Sequence, residues 1–561
     1  MDGHFEGSLK GKHVHRWTGK EPITRGRCAH VLNCGTPATA TDLCDIGWMT
    51  IDVLPDVVLL EMFDCYMNQV REEDSPDVTV ESWRTLVHVC RNWRGVVFGS
   101  PRRLNLRLLC TPETPVRKML AIWPCLPIFV QQRQYGLLRG DPDNIVAALE
   151  HSDRVCEIDL FDISSSHLEK ALAAMQEPFP ALTRLEIRRK DDDDDDDDDD
   201  DRTPSPPVVP DSFMDGSAPR LRYLDLTRVP FPGLPRLLSS AATQAHLVYL
   251  YLWKTPHSGY ISPEAIVPCL AALTRLETLS LEFESPRSRP NQQRRRPPPP
   301  TRSVLPSLTC FVFKGVSAYL EDLVARFDTP LLDNLQITFF HQLIFDTPQL
   351  VQYISHTPNL KAPTEARVIF SSGFVQVTLT RPGQASPKGL GLGFTCGHSD
   401  WQLSSLAQVF SSSIPQALIS TVEQLYIYES GFLQPRWQDD VEDSQWLDVL
   451  NPFTAVKDLY LSQNFVPRIA PTLQELVGER VNEVLPALQC LFLEKLHPSG
   501  TVQEEIVKFL DARQLAEHPI AVSLWEREQD NGSEADSSSV TVGSLVVGGS
   551  SVVEDSSVVD D

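Results

Sequence analysis

Eleven times along this chain one six-residue pattern returns, apolar-x-x-Leu-x-Leu, with Ile, Val or Phe standing in for some leucines. In order it reads VCEIDL at 155–160, LTRLEI at 182–187, LRYLDL at 221–226, LVYLYL at 247–252 and LETLSL at 276–281. It continues as LTCFVF at 308–313, LDNLQI at 332–337, FVQVTL at 374–379, VEQLYI at 422–427, VKDLYL at 456–461 and LQCLFL at 488–493. Two apolar residues at a spacing of two fall on the same face of an extended strand. The pattern therefore predicts a series of short strands, each with one apolar face.

The start-to-start intervals are 27, 39, 26, 29, 32, 24, 42, 48, 34 and 32 residues. Several lie at or just above the 20–29 residues of a leucine-rich repeat. The 39-residue interval contains a run of aspartates at 191–201, and the 32-residue interval after Leu276 contains an Arg/Pro-rich run at 287–302. Without those inserts both intervals fall back toward the shorter period. Helix-compatible stretches separate the strands, for example SHLEKALAAM at 166–175 and PEAIVPCLAAL at 263–273. A strand and a helix that cannot bury their apolar faces alone bury them by stacking on the next pair. The competing reading is an ordinary α/β domain. Against it stand the constant internal spacing and the prolines that open many strands (Pro180, Pro219, Pro306, Pro330, Pro486). The region thus resembles an irregular leucine-rich-repeat array, which implies an α+β or α/β solenoid. It departs from that family in lacking the asparagine after the strand, present only in Leu461-Ser-Gln-Asn464.

Ahead of the array, residues 51–110 predict helices. Pro55 suits a first helical turn, and Asp52 and Asp56 suit its positive end. Leu59, Met62, Phe63 and Tyr66 then recur at helical spacing, and Leu86, Val89, Cys90, Trp93 and Val97 repeat the spacing until Gly99 and Pro101. Leu54-Pro55, the Leu59-Leu60/Met62-Phe63 helix, Val89-Cys90-Arg91-Asn92-Trp93 and the Pro101-Arg-Arg-Leu104 exit together resemble an F-box. The insert at 71–79 lengthens the first interhelical connection and is expected to be a solvated loop. The resemblance implies that Leu54, Pro55, Leu59, Met62, Phe63, Val89, Cys90 and Trp93 dock a Skp-family adaptor. Through that adaptor the chain would join a cullin-RING ubiquitin ligase, with the repeats holding an unidentified target protein. Catalysis would then be proximity to a charged conjugating enzyme, with no reactive group from this chain. The alternative is a non-catalytic interaction scaffold that assembles no ligase.

Four regions follow: an N-terminal arm (1–47), the F-box-like module (48–110), the irregular array (111–527) and a tail (528–561). The inserts fall at about 189–212 and 285–303. The arm and tail are polar enough to be expected disordered. Of the net charge of −25, the aspartate run and the tail carry −19, which leaves −6 for everything else. The acidity therefore says little about the folded surface, and nothing in it favours nucleic acid as a partner. Proline is abundant, 44 of 561 residues, which favours loops and interrupted elements. No apolar run is long enough for a membrane span, and twelve scattered cysteines suit a reducing intracellular compartment, nucleus or cytosol.

The sequence holds no Walker-type loop, no His-Glu-x-x-His and no Gly-x-Ser-x-Gly. Gly389-Leu-Gly391-Leu-Gly393 lacks a dinucleotide fingerprint and reads as a loop entering a strand. Cys28, His30, Cys34 and Cys44 lack the paired spacing of a zinc site. No catalytic residue, metal or cofactor is expected. The tail pairs Val552-Val553 and Val558-Val559 with acids and serines, a pattern similar to SUMO-interacting motifs.

Overall fold

The computed structural model describes residues 54–73, 82–123, 126–132, 141–190, 207–230, 236–287, 301–340, 345–381, 388–396, 399–430, 443–475, 480, 483–494 and 501–526. The N-terminal arm, the aspartate run and the C-terminal tail lie outside these residues, as do the cysteines and histidines before Cys65. By contact the chain divides into a unit ending at Met62 and a unit from Phe63 onward.

Of the first unit the structure describes Leu54 to Met62. Pro55 precedes a helix that begins at Asp56, and the amides of Val58 and Leu59 both bond the Pro55 carbonyl at 2.9 and 3.1 Å. Leu59 and Leu60 are buried, whereas Val57, Val58 and Met62 are exposed.

The second unit is built on mostly parallel strands. They are β1 (Leu108–Cys110), β2 (Ile128–Gln132), β3 (Val155–Ile163), β4 (Arg184–Arg189), β5 (Tyr223–Thr227), β6 (Tyr249–Thr255) and β7 (Thr278–Phe283). Next come β8 (Ser303–Val304), β9 (Cys310–Gly315), β10 (Phe327–Asp328), β11 (Asn334–Phe340), β12 (Glu365–Phe370), β13 (Phe374–Thr380) and β14 (Gly389–Thr395). The last are β15 (Gln424–Glu429), β16 (Asp458–Leu461), β17 (Cys490–Glu494) and β18 (Ala521–Trp525). Among the described residues, sixteen of them form one sheet in the order β1-β2-β3-β4-β5-β6-β7-β9-β11-β14-β13-β12-β15-β16-β17-β18, and β8 pairs with β10. Each of the eleven predicted hexapeptides contributes a strand to the large sheet.

The register explains why the hexapeptide recurs. Ile158, Leu185, Leu224, Leu250, Leu279, Phe311 and Leu335 stand abreast on seven neighbouring strands. So do Leu160, Ile187, Leu226, Leu252, Leu281, Phe313 and Ile337, two positions on. These two rows are buried along their length, and each fully buried side chain contributes about 1.5–3 kcal/mol. Helices return the chain between strands and pack on one another in sequence order, as Pro263–Ala272 does on Ser317–Val324 and that helix on Pro348–His356. Proline opens the first and third of these, where its missing N–H leaves no bond unmade.

The absent asparagines have a backbone replacement. At strand entry one carbonyl accepts from two successive amides of the next repeat. Thr183 O takes Arg222 and Tyr223, Arg222 O takes Val248 and Tyr249, and Val248 O takes Glu277 and Thr278, at 2.9–3.2 Å. The same link recurs from Glu277 O, Thr309 O, Thr364 O, Glu423 O and Lys457 O. A repeat that satisfies its turn carbonyls this way needs no ladder of amide side chains.

Several expectations are corrected. FVQVTL is not a parallel repeat: β13 runs antiparallel to both β12 and β14, and this meander fills the two longest intervals. Gly389-Leu-Gly391-Leu-Gly393 is not a loop but β14 itself. A Cβ on Gly391 would collide with the Gln336 amide, and Gly389 holds φ +149° against the Leu379 carbonyl. The alternation Leu104-Asn-Leu106-Arg-Leu108 does not lengthen the first strand, which begins only at Leu108, although Leu104 and Leu106 are buried. No helix among the described residues is long and apolar enough to cross a membrane.

Candidate interaction face

The eight residues expected to form an adaptor-binding surface do not share one environment. In the first unit Leu59 is buried, Leu54 is partly exposed, and Pro55 and Met62 are exposed. In the second unit Phe63 is buried at 1% and packs its ring on Trp93, centroids 4.7 Å apart. Val89 is exposed at 55%. The helix Asp56–Glu73 continues through residues 71–73 of the expected loop; residues 74–79 lie outside the described ones. Its buried stripe is Leu59, Leu60, Phe63 and Met67, not the expected set, because Met62 and Tyr66 face outward.

The expected second helix is two. Trp83–Val87 ends at His88, and a new helix runs Arg91–Gly99. Cys90 is extended between them and caps the second, its Sγ accepting from the Trp93 amide at 3.4 Å. That break is why Val89 and Cys90 do not continue the apolar face. Cys65 on the first helix is exposed. Trp83 anchors this region: fully buried, it donates Nε1–H to Arg107 O at 2.9 Å and meets Phe98 and Trp123 edge-on.

A second candidate surface is the face of the large sheet opposite the two leucine rows. The residues between the rows point there, and the register brings together side chains far apart in sequence, such as Asp159 and Glu186, 27 residues apart, and Glu186 and Asp225, 39 apart. At one end Asp159, Glu186 and Asp225 stand abreast on β3, β4 and β5. Arg188 bridges two of them, Nε to Glu186 at 2.9 Å and Nη2 to Asp225 at 3.0 Å, while Arg184 reaches Glu186 at 2.6 Å. Arg184 also lies 3.9 Å over the Tyr223 ring, and Arg188 lies 5.5 Å from the Trp253 ring centroid.

Burial dominates the electrostatics here. It pushes the Asp225 carboxyl up to about 6 despite Arg188 and the Thr227 hydroxyl, which both favour the anion. It pushes Tyr251 up to about 12 and raises Tyr223, each with nearby Asp225 adding to the rise. For Arg188 burial acts against the charge, but Asp225 and Glu186 outweigh it and the guanidinium holds its proton more firmly. At 1% exposure, held by Arg188 and Thr227, Asp225 has no path to a bound substrate. The cluster orders the sheet and presents a rim of aromatic rings.

The other end of the face is a stack. Tyr426 and Tyr460 lie 4.1 Å apart at 11°, and Tyr460 and Phe492 lie 4.3 Å apart at 7°. Trp525 meets Tyr460 and Tyr426 edge-on at 5.5 and 5.8 Å. Arg367 lies over the outer side of Tyr426 at 5.5 Å and bonds the buried Glu365. Burial and Tyr460 together raise the Tyr426 hydroxyl. Between the two ends the same row narrows to Ser280, Val312, Gln336 and Gly391. A pocket of about 280 Å³ opens beside Asp333, Lys361, Arg381 and Lys388. Two of its cations are already engaged: Lys388 pairs with Asp333 at 2.7 Å, and Arg381 bonds the Lys361 and Ala362 carbonyls. Among the described residues no group of three or more His, Cys, Asp or Glu could hold a metal ion.

This face was not singled out from the sequence, yet its signal was there. The fifth column of the eleven hexapeptides reads Asp, Glu, Asp, Tyr, Ser, Val, Gln, Thr, Tyr, Tyr, Phe. Acids open the column and aromatics close it.

No protein-family model matches the chain, and no curated protein does. Among solved structures, the leucine-rich repeat-containing protein LegL7 from Legionella pneumophila aligns over 72% of this chain and 97% of that one. It does so at 13% identity and a TM-score of 0.24.

Proposed function

We propose that the protein is an interaction subunit whose open sheet face holds a target protein and whose N-terminal helices recruit a Skp-family adaptor, making it the target receptor of a Skp–cullin–F-box type ubiquitin ligase. One observation carries the adaptor half of this reading. In the first unit Val57, Val58 and Met62 are exposed at 63, 42 and 42% on a single helix. Large apolar side chains gathered on one helix and left in water suit a partner. The ordered sequence resemblance at Leu54-Pro55 and Val89-Cys90-Arg91-Asn92-Trp93 supports the choice of partner. On this reading the exposed residues make the contact, and buried Leu59 and Phe63 hold the helix in place. The chain supplies position, not a reacting group.

The alternative is an interaction scaffold that assembles no ligase. Purified full-length chain and a Skp-family adaptor separate the two by isothermal titration. Binding that Val58→Asp with Met62→Asp abolishes, at an unchanged melting temperature, is the expected result; both residues are exposed, so the fold does not depend on them. Absence of binding by the wild-type chain overturns the ligase reading and leaves the scaffold.

A further inference from the structure

The sheet ends on a strand that nothing among the described residues completes. β18 pairs with β17 alone. Its Val522 and Leu524 stand in register with Leu491 and Leu493, so they continue the two leucine rows of the core. Leu491 and Leu493 are buried, whereas Val522 is 45% and Leu524 is 70% exposed. The helix before β18, Thr501–Leu515, buries Ile506 and Phe509 but leaves Val507 45% and Leu515 86% exposed. Among the described residues no capping repeat closes the core rows, and they end on the exposed side chains of Val522 and Leu524.

The backbone is open as well. Ala521 N bonds Gln489 O at 2.8 Å. In a parallel ladder alternate residues turn both polar groups toward the same neighbour. Ala521, Ser523 and Trp525 thus face β17, and Val522 and Leu524 present their N–H and C=O groups on the outer edge. Edge strands are ordinarily protected by a lysine, a proline or a bulge. Ala-Val-Ser-Leu-Trp contains no lysine or proline, and its pairing with β17 runs without a register shift. The surrounding charge is one-sided. Residues 501–526 carry Glu504, Glu505, Asp511, Glu517 and Glu526 against Lys508 and Arg513. Arg513 is fully buried and donates to the Val484 and Leu485 carbonyls at 2.9 and 2.8 Å, so it adds no surface charge.

We propose that β18 is a docking edge for an extended basic segment of a partner protein, which adds a further strand through the outward amides and carbonyls of Val522 and Leu524. Alternate apolar residues of that segment would cover Val522 and Leu524, and its Lys or Arg side chains would meet the acids around the edge. The charge argues against the other two occupants. The chain's own tail brings eight carboxylates and no Lys or Arg, and a second copy brings the same acids. This inference is independent of the ligase reading.

The test is hydrogen exchange, resolved residue by residue across Ile520 to Trp525 in the full chain, with and without a synthetic nine-residue peptide alternating lysine and valine. The amides of Val522 and Leu524 should exchange freely in the chain alone and become protected with the peptide. The glutamate-for-lysine version of the peptide should bind at least about tenfold more weakly. Val522→Pro removes only an outward donor, a change tolerated on an edge strand. It should abolish binding without lowering the melting temperature, and Leu524→Lys should weaken it. Protection already present in the dilute chain would overturn the proposal in favour of an internal occupant. Protection that grows with protein concentration would overturn it in favour of a second copy. Peptide binding indifferent to peptide charge or to Val522→Pro would overturn it outright.

Discussion

The two ends of the open sheet face use the same backbone to opposite purposes. Across β3, β4 and β5 the polar side chains are spent on one another: Arg188 holds Glu186 and Asp225, and Asp225 is closed to solvent. Across β15, β16 and β17 the rings stack face to face, with one ion pair, Arg367 with Glu365, at their border. Nothing in the leucine rows beneath distinguishes the two ends. The difference lies in the residues between the rows, which the core leaves free to vary. A repeat core thus fixes where side chains are displayed, and the positions between its leucines decide what is displayed.

The sharpest way to break this contrast is to remove one cation from each end. Arg188→Ala leaves two buried carboxylates short of a partner, and such losses cost about 3–5 kcal/mol. Arg188→Lys should recover only part of this, because a single ammonium cannot bridge two carboxylates as the guanidinium fork does. Arg367→Ala at the other end removes a half-exposed partner of Glu365 and should cost about 1 kcal/mol or less, as for surface pairs. Equilibrium denaturation of the variants checks the ranking. Equal losses would mean that the two ends are not different in kind.

Acid sharpens the comparison next. Burial raises the Asp225 carboxyl from 3.8 to about 6, so between those values the folded chain binds a proton that the unfolded chain has released. Stability contributed by this group is therefore present below about pH 4 and is lost as pH rises through about 6. Asp225→Asn should flatten that part of the pH–stability curve. Melting temperatures taken from pH 4 to 7 test it; an unchanged slope in the variant would remove Asp225 as the source.

How much of this was readable beforehand depends on what each feature needs. The leucine rows were legible because alternation within a hexapeptide is local, and each of the eleven hexapeptides contributes a strand. The strands of the large sheet without that pattern, β1, β2, β12, β14 and β18, were not: Gly389-Leu-Gly391 alternates, but glycine signals a turn unless one knows that Gln336 lies across it. The break at Cys90 was hidden because Leu86, Cys90, Trp93 and Val97 keep helical spacing across it, and only the cap at Trp93 N reveals it. The carboxylate row needed the register of three strands, and that register is set by long-range pairing. Which residues of the first helix are buried was hidden for a simpler reason. Periodicity locates a stripe to within one position, and one position separates buried Phe63 from exposed Met62.

The smallest effect concerns the stack and asks whether its rings act as a unit. Tyr460 lies between Tyr426 and Phe492 and meets Trp525 edge-on, so Tyr460→Ala loses both stacking contacts and the edge contact. At about 0.5–1.5 kcal/mol for each aromatic pair, the loss should be about 2 kcal/mol. Phe492→Ala alone loses one such pair and should cost correspondingly less. Because the Tyr460–Phe492 contact is counted in both single variants, the double variant should fall short of their sum by the value of that one pair. Tyr460→Phe keeps the stack and should leave stability nearly unchanged. Strict additivity in this cycle, measured by denaturation, would mean that the rings merely stand in register along neighbouring strands. Coupling of the expected size would mark them as a preformed aromatic surface, ordered before any partner covers it. A preformed surface loses less side-chain freedom on binding, and that is the advantage the stacked end holds over an unstacked row of the same residues.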